Sequence, residues 1–515
     1  MSIRFINFRI IDESMLAVID FGSQYTHLIA RRIRQLCVYS EIFPFWVKVD
    51  AVKGAEAIIL SGGPSSVYQE NAPKNDTLLD WVLTENIPTL GICYGLHLLA
   101  DYCGGSVVRG DYREYGIAEA VVEDDPLFEG LDKKQRVWMS HGDRVERLPP
   151  QVKRIAYTEN CDYAAFRCGN VYAVQWHPEV HHTEHGMEML SNFLEIANTS
   201  KEWTMRNFVD QSVNHLQKEI EGKAIIGLSG GVDSSVAAVL VSKAVGNRLT
   251  AVFVDHGLLR EGEKEHVEQF FGQEVNLKMI SAKDRFFSRL KGVLDPEEKR
   301  KIIGEEFIRV FEEEARKVGA DTLIQGTIYP DRIESGITQN ADVIKSHHNV
   351  GALPDTMEFE KVVEPLQDLY KDEVREVGKT LGLPEEILSK HPFPGPGLAV
   401  RVLGEINDSN VFICRKACKI VEDELRAHGL YNNVWQGFAI LFEDKMVGVV
   451  GDERKLGRVV GIRIVQSLDA MTANFVKVDW DILEKMSTRI TNEIPEVVSV
   501  TYFVSHKPPQ TIEAL

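Results

Sequence analysis

Pro88-Thr-Leu-Gly-Ile-Cys-Tyr-Gly-Leu-His-Leu-Leu-Ala100 joins an apolar, strand-like run to a helical pattern through a turn in which a cysteine stands between two glycines. Glycines permit a sharp turn, and a nucleophile at the apex of such a strand-to-helix turn is held at the end of a sheet. The N-terminus of the following helix offers backbone N–H groups, which stabilise a thiolate or an oxyanion. The stretch therefore predicts an α/β fold in which Cys93 is a nucleophile. The alternative is a small apolar residue packed behind a helix.

The same alternation of apolar runs and helical patterns extends in both directions from this turn. It predicts an α/β domain with a mixed sheet, a second α/β domain with a mostly parallel sheet and a smaller α+β domain after the Pro/Gly-rich stretch 392–398. A chain of 515 residues is long enough for about three domains. The predicted boundaries are an N-terminal extension at 1–14 and domains at 15–200, 201–398 and 399–515.

Composition limits the functions that the chain could have. The net charge of −19, from 58 basic and 77 acidic side chains, argues against a nucleic-acid surface, and no apolar run is long enough to cross a membrane. The seven cysteines are odd in number and scattered, which is typical of reduced thiols and predicts a cytoplasmic protein. An acidic chain must supply local cations for any anionic substrate.

A thiol nucleophile needs a base, and one histidine has a suitable setting. His177 ends a strand-like run in Ala173-Val-Gln-Trp-His-Pro-Glu179, with a carboxylate two residues later. An imidazole oriented by a carboxylate can take a thiol proton and return it. Cys93, His177 and Glu179 are therefore the predicted catalytic residues, although an isolated His-Pro-Glu is more often a loop.

A third element is the strand-like Ile58-Ile-Leu-Ser-Gly-Gly-Pro64, whose Gly62 and Gly63 would let backbone amides approach an oxyanion. Together these motifs resemble the triad-type glutamine amidotransferase family over Ala17 to Ala197. The resemblance implies that Gly62, Gly63 and Tyr94 serve the oxyanion and that position 97 helps to hold substrate glutamine. The family commonly has glutamine at that position, whereas this chain has His97.

A second loop, Gly227-Leu-Ser-Gly-Gly-Val-Asp-Ser-Ser235, lies at another strand-to-helix junction. Glycines and hydroxyls there form a nest of N–H donors for phosphate oxygens, and the pattern is not a Walker loop because no Gly-Lys-Ser/Thr follows. It resembles the loop of enzymes that split ATP into AMP and pyrophosphate. The residues assigned to ATP binding are Ser229, Gly230, Gly231, Val232, Asp233, Ser234 and Ser235. Asp233 is the candidate ligand of the Mg²⁺ that accompanies ATP, and neither an organic cofactor nor a structural metal is expected.

The two halves joined in one chain resemble the glutamine-hydrolysing GMP synthetase family over nearly the full length. That resemblance implies that ammonia from glutamine displaces AMP from adenylated xanthosine monophosphate (XMP), which gives GMP. It also implies a homodimer through the C-terminal domain and a lid formed by Lys345, His347 and His348. The residues it assigns to XMP are Arg260, Gln436, Lys507, Ile512 and Glu513. The chain departs from the family at Ser499, where an arginine is common, and in its Glu-Ala-Leu ending.

Two other functions remain open. One is another glutamine-dependent ATP pyrophosphatase that amidates or thiolates a different substrate, as in NAD synthetase-like or tRNA-modifying enzymes. The other is a non-catalytic, glutamine-sensing protein on a decayed amidotransferase scaffold. The motif Lys507 to Glu513 argues against the first, and the intact Cys93, His177 and Glu179 argue against the second.

Overall fold

The computed structural model describes residues 4–6, 15–331, 359–450, 452–467 and 472–514. The chain divides into two compact units, an N-terminal unit formed by Arg9–Asn207 and a C-terminal unit formed by Met1–Phe8 with Phe208–Leu515. The predicted α/β class, with one mixed and one parallel sheet and a smaller C-terminal α+β part, is confirmed. The domain boundaries stay a prediction.

The N-terminal unit is built on a nine-stranded sheet in the order β3-β2-β4-β5-β10-β9-β8-β6-β7. Neighbours from β3 to β10 are parallel and those from β10 to β7 are antiparallel. The strands are β2 (Met15–Asp20), β3 (Ser40–Pro44), β4 (Ala55–Leu60), β5 (Thr89–Ile92), β6 (Ser106–Val122), β7 (Lys134–Arg147), β8 (Lys153–Tyr157), β9 (Ala165–Cys168) and β10 (Val171–Val174). The helices are α1 (Thr26–Gln35), α2 (Val49–Val52), α3 (Asp76–Thr84), α4 (Tyr94–Tyr102) and α5 (Gly186–Ile196), with a 3₁₀ turn at Pro126–Phe128.

Both faces of this sheet are covered. On β2, Leu16 and Val18 pack into one apolar cluster while Ala17 and Ile19 pack into another. Successive side chains of a strand point to opposite faces, so a strand covered on both sides becomes a continuous apolar run. This is why the sequence shows unbroken apolar stretches rather than alternation at these strands.

The C-terminal unit contains a six-stranded sheet in the order β1-β15-β14-β11-β12-β13, and all five pairings are parallel. Its strands are β1 (Arg4–Ile6), β11 (Ala224–Gly227), β12 (Leu249–Asp255), β13 (Asn276–Ser281), β14 (Thr322–Ile324) and β15 (Lys361–Val363). The helices of this part are α6 (Met205–Glu219), α7 (Val232–Val245), α8 (Glu263–Glu274), α9 (Lys283–Leu290), α10 (Pro296–Val318), α11 (Lys371–Thr380) and α12 (Glu385–Leu388), with 3₁₀ turns at Gly246–Arg248 and Gly397–Arg401.

A smaller sheet follows the Pro/Gly-rich stretch. In it, β17 pairs with each of the other three strands. The elements are α13 (Asp408–Ala427), a 3₁₀ turn at Tyr431–Asn433, β16 (Gln436–Val450), β17 (Glu453–Gln466), β18 (Asn474–Phe475), α14 (Trp480–Glu493) and β19 (Val497–Tyr502).

The two sheets of the C-terminal unit share one apolar core. Ile225 and Val252 of the parallel sheet belong to the same buried cluster as Leu441 and Ile462 of the smaller sheet. The predicted domains 201–398 and 399–515 therefore pack as one compact unit rather than as separate globules.

The predicted N-terminal extension contains a strand. Arg4–Ile6 pairs in parallel with Lys361–Val363 at the edge of the six-stranded sheet. A sheet edge presents unpaired N–H and C=O groups, and a short extended segment can satisfy them. Residues 4–6 thus belong to the C-terminal unit, although Arg9–Asn207 forms the N-terminal unit. Three residues are too short a run to predict a strand from sequence.

Candidate active site

Cys93 occupies the turn between β5 and α4, as the Gly-Cys-Gly pattern predicts. Its backbone has φ 52° and ψ −100°, which is rare for a residue with a side chain. The backbone N–H of Cys93 donates to the Val174 carbonyl at 2.9 Å, so that the strained turn is tied to strand β10. Strain of this kind persists only where the surroundings enforce it, and it is concentrated at functional sites.

The two glycines of this turn are required by close packing. A Cβ on Gly95 would lie 2.5 Å from the Leu60 carbonyl oxygen, and a Cβ on Gly91 would lie 2.7 Å from the Gly95 carbonyl oxygen. Both contacts involve backbone atoms, which cannot move away cheaply. The glycines therefore let β4, β5 and the start of α4 approach closely enough to form the turn.

We expect Gly95→Ala to lower the free energy of unfolding of the N-terminal unit by about 1–3 kcal/mol, the usual cost of overpacking. Thermal unfolding followed by circular dichroism measures this change. Gly54→Ala is the matched control, because a Cβ there meets nothing within 4 Å. An unchanged melting temperature for Gly95→Ala would show that the turn is not closely packed.

His177 and Glu179 form a buried hydrogen-bonded pair beside Cys93. Nδ1 of His177 lies 2.7 Å from Oε1 of Glu179, and the Cys93 thiol is close enough to the imidazole to raise its pKa. Burial acts to lower the pKa of His177, but the charge of Glu179 and the hydrogen bonds to Cys93 and Glu179 outweigh it. The pKa of His177 therefore lies well above its usual value, which suits a base that takes the proton of a thiol.

Neighbouring groups hold this pair in place. Arg32 Nε donates to the Glu179 carbonyl at 3.0 Å, and the Thr183 hydroxyl donates to the His177 carbonyl at 2.6 Å. The Tyr25 ring packs edge-on against the imidazole, with 5.0 Å between ring centroids. The orientation of the base is thus fixed by contacts from α1 and from the loop before α5.

We expect Glu179→Gln to reduce glutamine hydrolysis by about 10²-fold or more, the lower range for loss of a positioned acid–base group. Glu179 raises the pKa of His177, so its removal lowers that pKa and the imidazolium is lost as pH rises. The loss of activity should therefore be larger at pH 8 than at pH 6. A pH profile of glutamate formation measures it, and an equal loss at both values would contradict this role of Glu179.

The predicted oxyanion residues lie around the sulfur. A Cβ on Gly62 would be 3.2 Å from His177 Cε1 and 3.7 Å from Cys93 Cβ, so the Gly62 backbone lies against both catalytic side chains. Gly63 lies against the Tyr94 ring, where a Cβ would be 3.4 Å from ring atoms. Tyr94 is the first residue of α4, and its N–H has no carbonyl partner one turn earlier within the helix. That Gly62, Gly63 and Tyr94 bind an oxyanion stays a prediction.

His97 lies one turn into α4 and is buried. Its Nε2 is 2.8 Å from the Oε1 of Gln175, and the Nε2 of Gln175 is 3.9 Å from the Cys93 sulfur. That His97 helps to hold glutamine stays a prediction.

The second predicted loop joins β11 to α7. Gly230 has φ +75°, and the Ser229 and Ser234 hydroxyl oxygens lie 2.9 Å apart. The N–H groups of Ser229 and Gly231 donate to these hydroxyls, at 3.2 and 3.3 Å. α7 begins at Val232, so Val232, Asp233, Ser234 and Ser235 form the first turn of that helix. The loop thus places a helix N-terminus beside two hydroxyls, an arrangement that suits phosphate oxygens.

Cations that the sequence analysis did not identify lie beside this loop. Lys371, the first residue of α11, holds the Asp233 carboxylate with its Nζ 2.5 and 2.7 Å from the two oxygens. The Lys390 Nζ lies 3.4 Å from the Gly230 carbonyl oxygen and 3.4 Å from Glu263. Both lysines are more than 130 residues from the loop in sequence, so no local motif indicates them.

The residues assigned to XMP lie on three segments of the C-terminal unit. Gln436 and Glu513 meet directly, with 2.6 Å between Nε2 and Oε1. Arg260 donates to the His391 carbonyl at 2.7 Å and stacks on the Phe393 ring. Arg260 and Gln436 line one cavity.

The remaining two residues of that group lie in the C-terminal segment. The Ile512 carbonyl accepts from the buried Arg463 at 2.9 Å, and the Lys507 backbone pairs with Ala473. Arg401, which the sequence analysis missed, also lines the cavity and binds Glu513 with two hydrogen bonds of 2.8 and 3.0 Å. Arg401 follows the Pro/Gly-rich stretch, which is the only local signal for it.

The predicted lid has no counterpart among the described residues. Lys345, His347 and His348 of the predicted lid lie outside the described residues. Among the residues that the structure describes, no group of three or more His, Cys, Asp or Glu side chains is arranged to hold a metal ion, and no helix is long and apolar enough to cross a membrane.

Known protein families match the N-terminal and C-terminal parts of the chain separately. Family models described as "Glutamine amidotransferase class-I", "NAD synthase" and "GMP synthase C terminal domain" match residues 17–197, 204–302 and 423–514. These matches and the two sites define a glutamine-dependent ligase, in which an amidotransferase is joined to an ATP pyrophosphatase.

Relatives of similar length identify the family. "GMP synthase [glutamine-hydrolyzing]" of Natranaerobius thermophilus is 51% identical over 509 residues, which cover 97% of this chain and 99% of the relative. The protein of the same name from Thermotoga maritima is 51% identical over 505 residues, with 97% and 100% covered. That of Staphylococcus aureus is 47% identical over 511 residues, with 98% and 99% covered. The chain belongs to the family of glutamine-hydrolysing GMP synthases.

Proposed function

We propose that this chain converts XMP to GMP with glutamine and ATP. The N-terminal unit releases ammonia from glutamine, and the C-terminal unit adenylates XMP and lets ammonia displace AMP. The observation that carries the proposal is that one chain, similar over its whole length to GMP synthases, retains both a Cys93–His177–Glu179 constellation and a phosphate-type loop. An NAD synthetase-like function would not account for the GMP synthase match at 423–514.

In the proposed first reaction, the Cys93 sulfur attacks the side-chain amide carbon of glutamine. His177 takes the thiol proton and gives it to the departing ammonia, while Glu179 keeps the imidazole oriented and charged. Backbone N–H groups at Gly62, Gly63 and Tyr94 donate to the oxyanion. Water then attacks the thioester carbon, which releases glutamate and restores the thiol. The buried contacts of His177 described above support these roles.

In the proposed second reaction, the loop from Ser229 to Ser235 and the start of α7 hold the phosphates of ATP. O2 of the xanthine attacks the α-phosphorus, and pyrophosphate leaves. Ammonia then attacks C2, AMP leaves, and GMP remains. Lys371 and Lys390 supply positive charge beside the loop, which an acidic protein needs for a triphosphate.

Mg²⁺ is proposed to accompany ATP. The residues present fit it, since the Asp233 carboxylate lies in the first turn of α7 and the side chain of Lys371, which holds it, is 42% exposed and has room to turn to phosphate instead. When bound, Mg²⁺ neutralises charge on the departing phosphates. Asp233 is the proposed protein ligand.

We propose that XMP binds at the cavity lined by Arg260 and Gln436. Arg260 can pair with the nucleotide phosphate, and Glu513 can accept from ribose hydroxyls or a base N–H. Arg401 positions Glu513 through its two hydrogen bonds. The family resemblance also assigns Lys507 and the Ile512 backbone to XMP. It assigns a lid role to Lys345, His347 and His348.

A homodimer through the β16–β17 hairpin is proposed as well. Met446, Val447, Val449 and Leu456 on this hairpin are 51–72% exposed. Exposed apolar side chains grouped in this way are typical of a protein interface. A second copy of the chain would cover them. A cytoplasmic location is also proposed, because all seven cysteines are free.

We expect Val449→Asp to convert the dimer to a monomer at micromolar concentration, because a charge would be buried in an apolar interface. Light scattering coupled to gel filtration should give twice the 58.1 kDa chain mass for the wild type and 58.1 kDa for the variant. Leu294→Asp, at another exposed apolar position, serves as control and should stay dimeric. A wild-type mass of 58.1 kDa would refute the dimer.

The function is tested by mixing the purified chain with XMP, Mg-ATP and either glutamine or ammonium, with ultraviolet detection of GMP. GMP from both nitrogen sources is the expected result. GMP from ammonium but not from glutamine would remove the function given to the N-terminal unit, and no GMP from either source would refute the whole proposal.

A further inference from the structure

Gln175 is a buried polar residue whose side chain reaches the Cys93 sulfur. It follows β10 directly, it is fully buried, and its backbone N–H donates to the Ala164 carbonyl at 2.8 Å. Residues two apart in an extended chain point the same way, so Gln175 and His177 both face Cys93. The Gln175 Nε2 lies 3.9 Å from the sulfur.

His97 determines which end of the Gln175 amide faces the sulfur. The imidazole Nε2 lies 2.8 Å from the amide Oε1. Burial, with a smaller effect of nearby His141, lowers the pKa of His97 to about 4, so the ring is neutral at physiological pH. A neutral ring that faces a carbonyl oxygen must carry its proton on Nε2 and donate it. The amide oxygen is therefore held by His97, and the NH₂ group is left for Cys93.

The Ser140 carbonyl is another neighbour of the Cys93 sulfur. That carbonyl can accept a hydrogen bond from the thiol at 3.8 Å, but it cannot donate one to the sulfur. An amide NH₂ on another side favours the thiolate, because an N–H donor stabilises a negative sulfur.

We propose that His97 and Gln175 form a positioning pair that directs an amide N–H at the Cys93 thiolate and thereby sustains its nucleophilicity. The proposal rests on the proposed function, because it assigns a partner to the nucleophile of that reaction. Neither residue touches the reacting atoms of glutamine in this account. Both act through Cys93.

The test compares Gln175→Met and Gln175→Glu with the wild type. Methionine fills the space without a donor, and glutamate keeps the acceptor for His97 but turns an oxygen toward the sulfur. Iodoacetamide alkylation of Cys93, followed by peptide mass spectrometry at pH 7, measures thiolate reactivity. We expect it to fall about tenfold or more in Gln175→Met, the effect of losing a hydrogen bond to a charged group, and further in Gln175→Glu.

Steady-state kinetics should agree with the alkylation rates. In the Gln175 variants, the kcat for glutamine hydrolysis should fall by a similar factor, while KM changes less, because Gln175 acts on the sulfur rather than on glutamine. His97→Gln retains an N–H donor and should lose less than His97→Leu, in which the Gln175 amide is free to turn over. Gln135→Met, the same change at a buried glutamine that donates to the Asp132 carbonyl, should alkylate like the wild type.

Unchanged Cys93 alkylation and kcat in Gln175→Met, with an unchanged melting temperature, would overturn the pair. If Gln175→Met does not fold, the alkylation rate of Cys93 in Gln175→Glu provides the same test. Equal losses in His97→Gln and His97→Leu would also overturn it, since the donor would then be irrelevant. Failure of the proposed function is distinct: wild-type protein would make no GMP from glutamine, whatever the alkylation rates.

Discussion

A Cys93→Ala chain should lose glutamine-dependent GMP formation and keep ammonium-dependent formation. Without the sulfur no thioester can form, and what remains is at most the slow reaction of water in the same site. The expected loss is about 10⁴-fold or more, comparable to removal of the nucleophile in a catalytic triad. The synthetic reaction uses residues of the C-terminal unit, which do not include Cys93.

The measurement is GMP formation with saturating XMP and Mg-ATP, first with glutamine and then with ammonium at high pH. Cys168→Ala, a half-buried thiol at the end of β9, is the matched control and should retain both activities. A Cys93→Ala protein that still uses glutamine would remove the nucleophile from the account. Loss of the ammonium-dependent reaction as well would indicate general damage to the protein.

The second large effect is expected at Asp233. Asp233→Asn removes the carboxylate that is proposed to bind Mg²⁺, so the metal that accompanies the phosphates of ATP loses its protein ligand. GMP formation should fall about 10²- to 10³-fold with either nitrogen source, as when one transition-state electrostatic contact is lost. This pattern differs from that of Cys93→Ala, in which only glutamine use is lost.

Pyrophosphate release measures the loss directly, because it precedes ammonia attack. Alkylation of Cys93 by iodoacetamide should continue at the wild-type rate, which shows that the N-terminal unit is intact. Asp284→Asn, at an exposed carboxylate of α9, is the control and should keep full activity. Wild-type pyrophosphate release in Asp233→Asn would exclude Asp233 from the ATP site.

The turn around Cys93 could be predicted from sequence because its determinants are local. Gly91 and Gly95 are needed because β4, β5 and the start of α4 approach so closely that a Cβ at either position would collide with backbone atoms. Both glycines lie within two residues of the nucleophile. The parallel strands could be predicted for the same reason, since strands covered on both faces become continuous apolar runs. The β11–α7 loop likewise has its glycines and hydroxyls in a single stretch.

Partners distant in sequence could not be predicted. Lys371 meets Asp233 across 138 residues, and Arg401 meets Glu513 across 112. A lysine or arginine on a helix has many surface roles, so nothing in its own sequence neighbourhood selects the one that tertiary packing provides. The Arg4–Ile6 strand was missed because three residues carry no periodicity.

His97 has both a local determinant and a distant one. Its position in the turn motif singled it out, and the resemblance assigned it to glutamine. Its packing against Gln175 depends on β10 lying beside β5, a pairing of segments about 80 residues apart. Sequence indicated that the residue matters, and only the fold indicates through which neighbour.

Nitrogen from the glutamine side chain is expected to reach a nucleotide that ATP has activated. This transfer is tested most directly by supplying glutamine labelled with ¹⁵N in the amide, together with XMP and Mg-ATP, and by mass spectrometry of the nucleotide product. We expect GMP that carries one ¹⁵N, with one AMP and one pyrophosphate formed for each GMP. Unlabelled GMP, release of ADP and phosphate in place of AMP and pyrophosphate, or no GMP would contradict it.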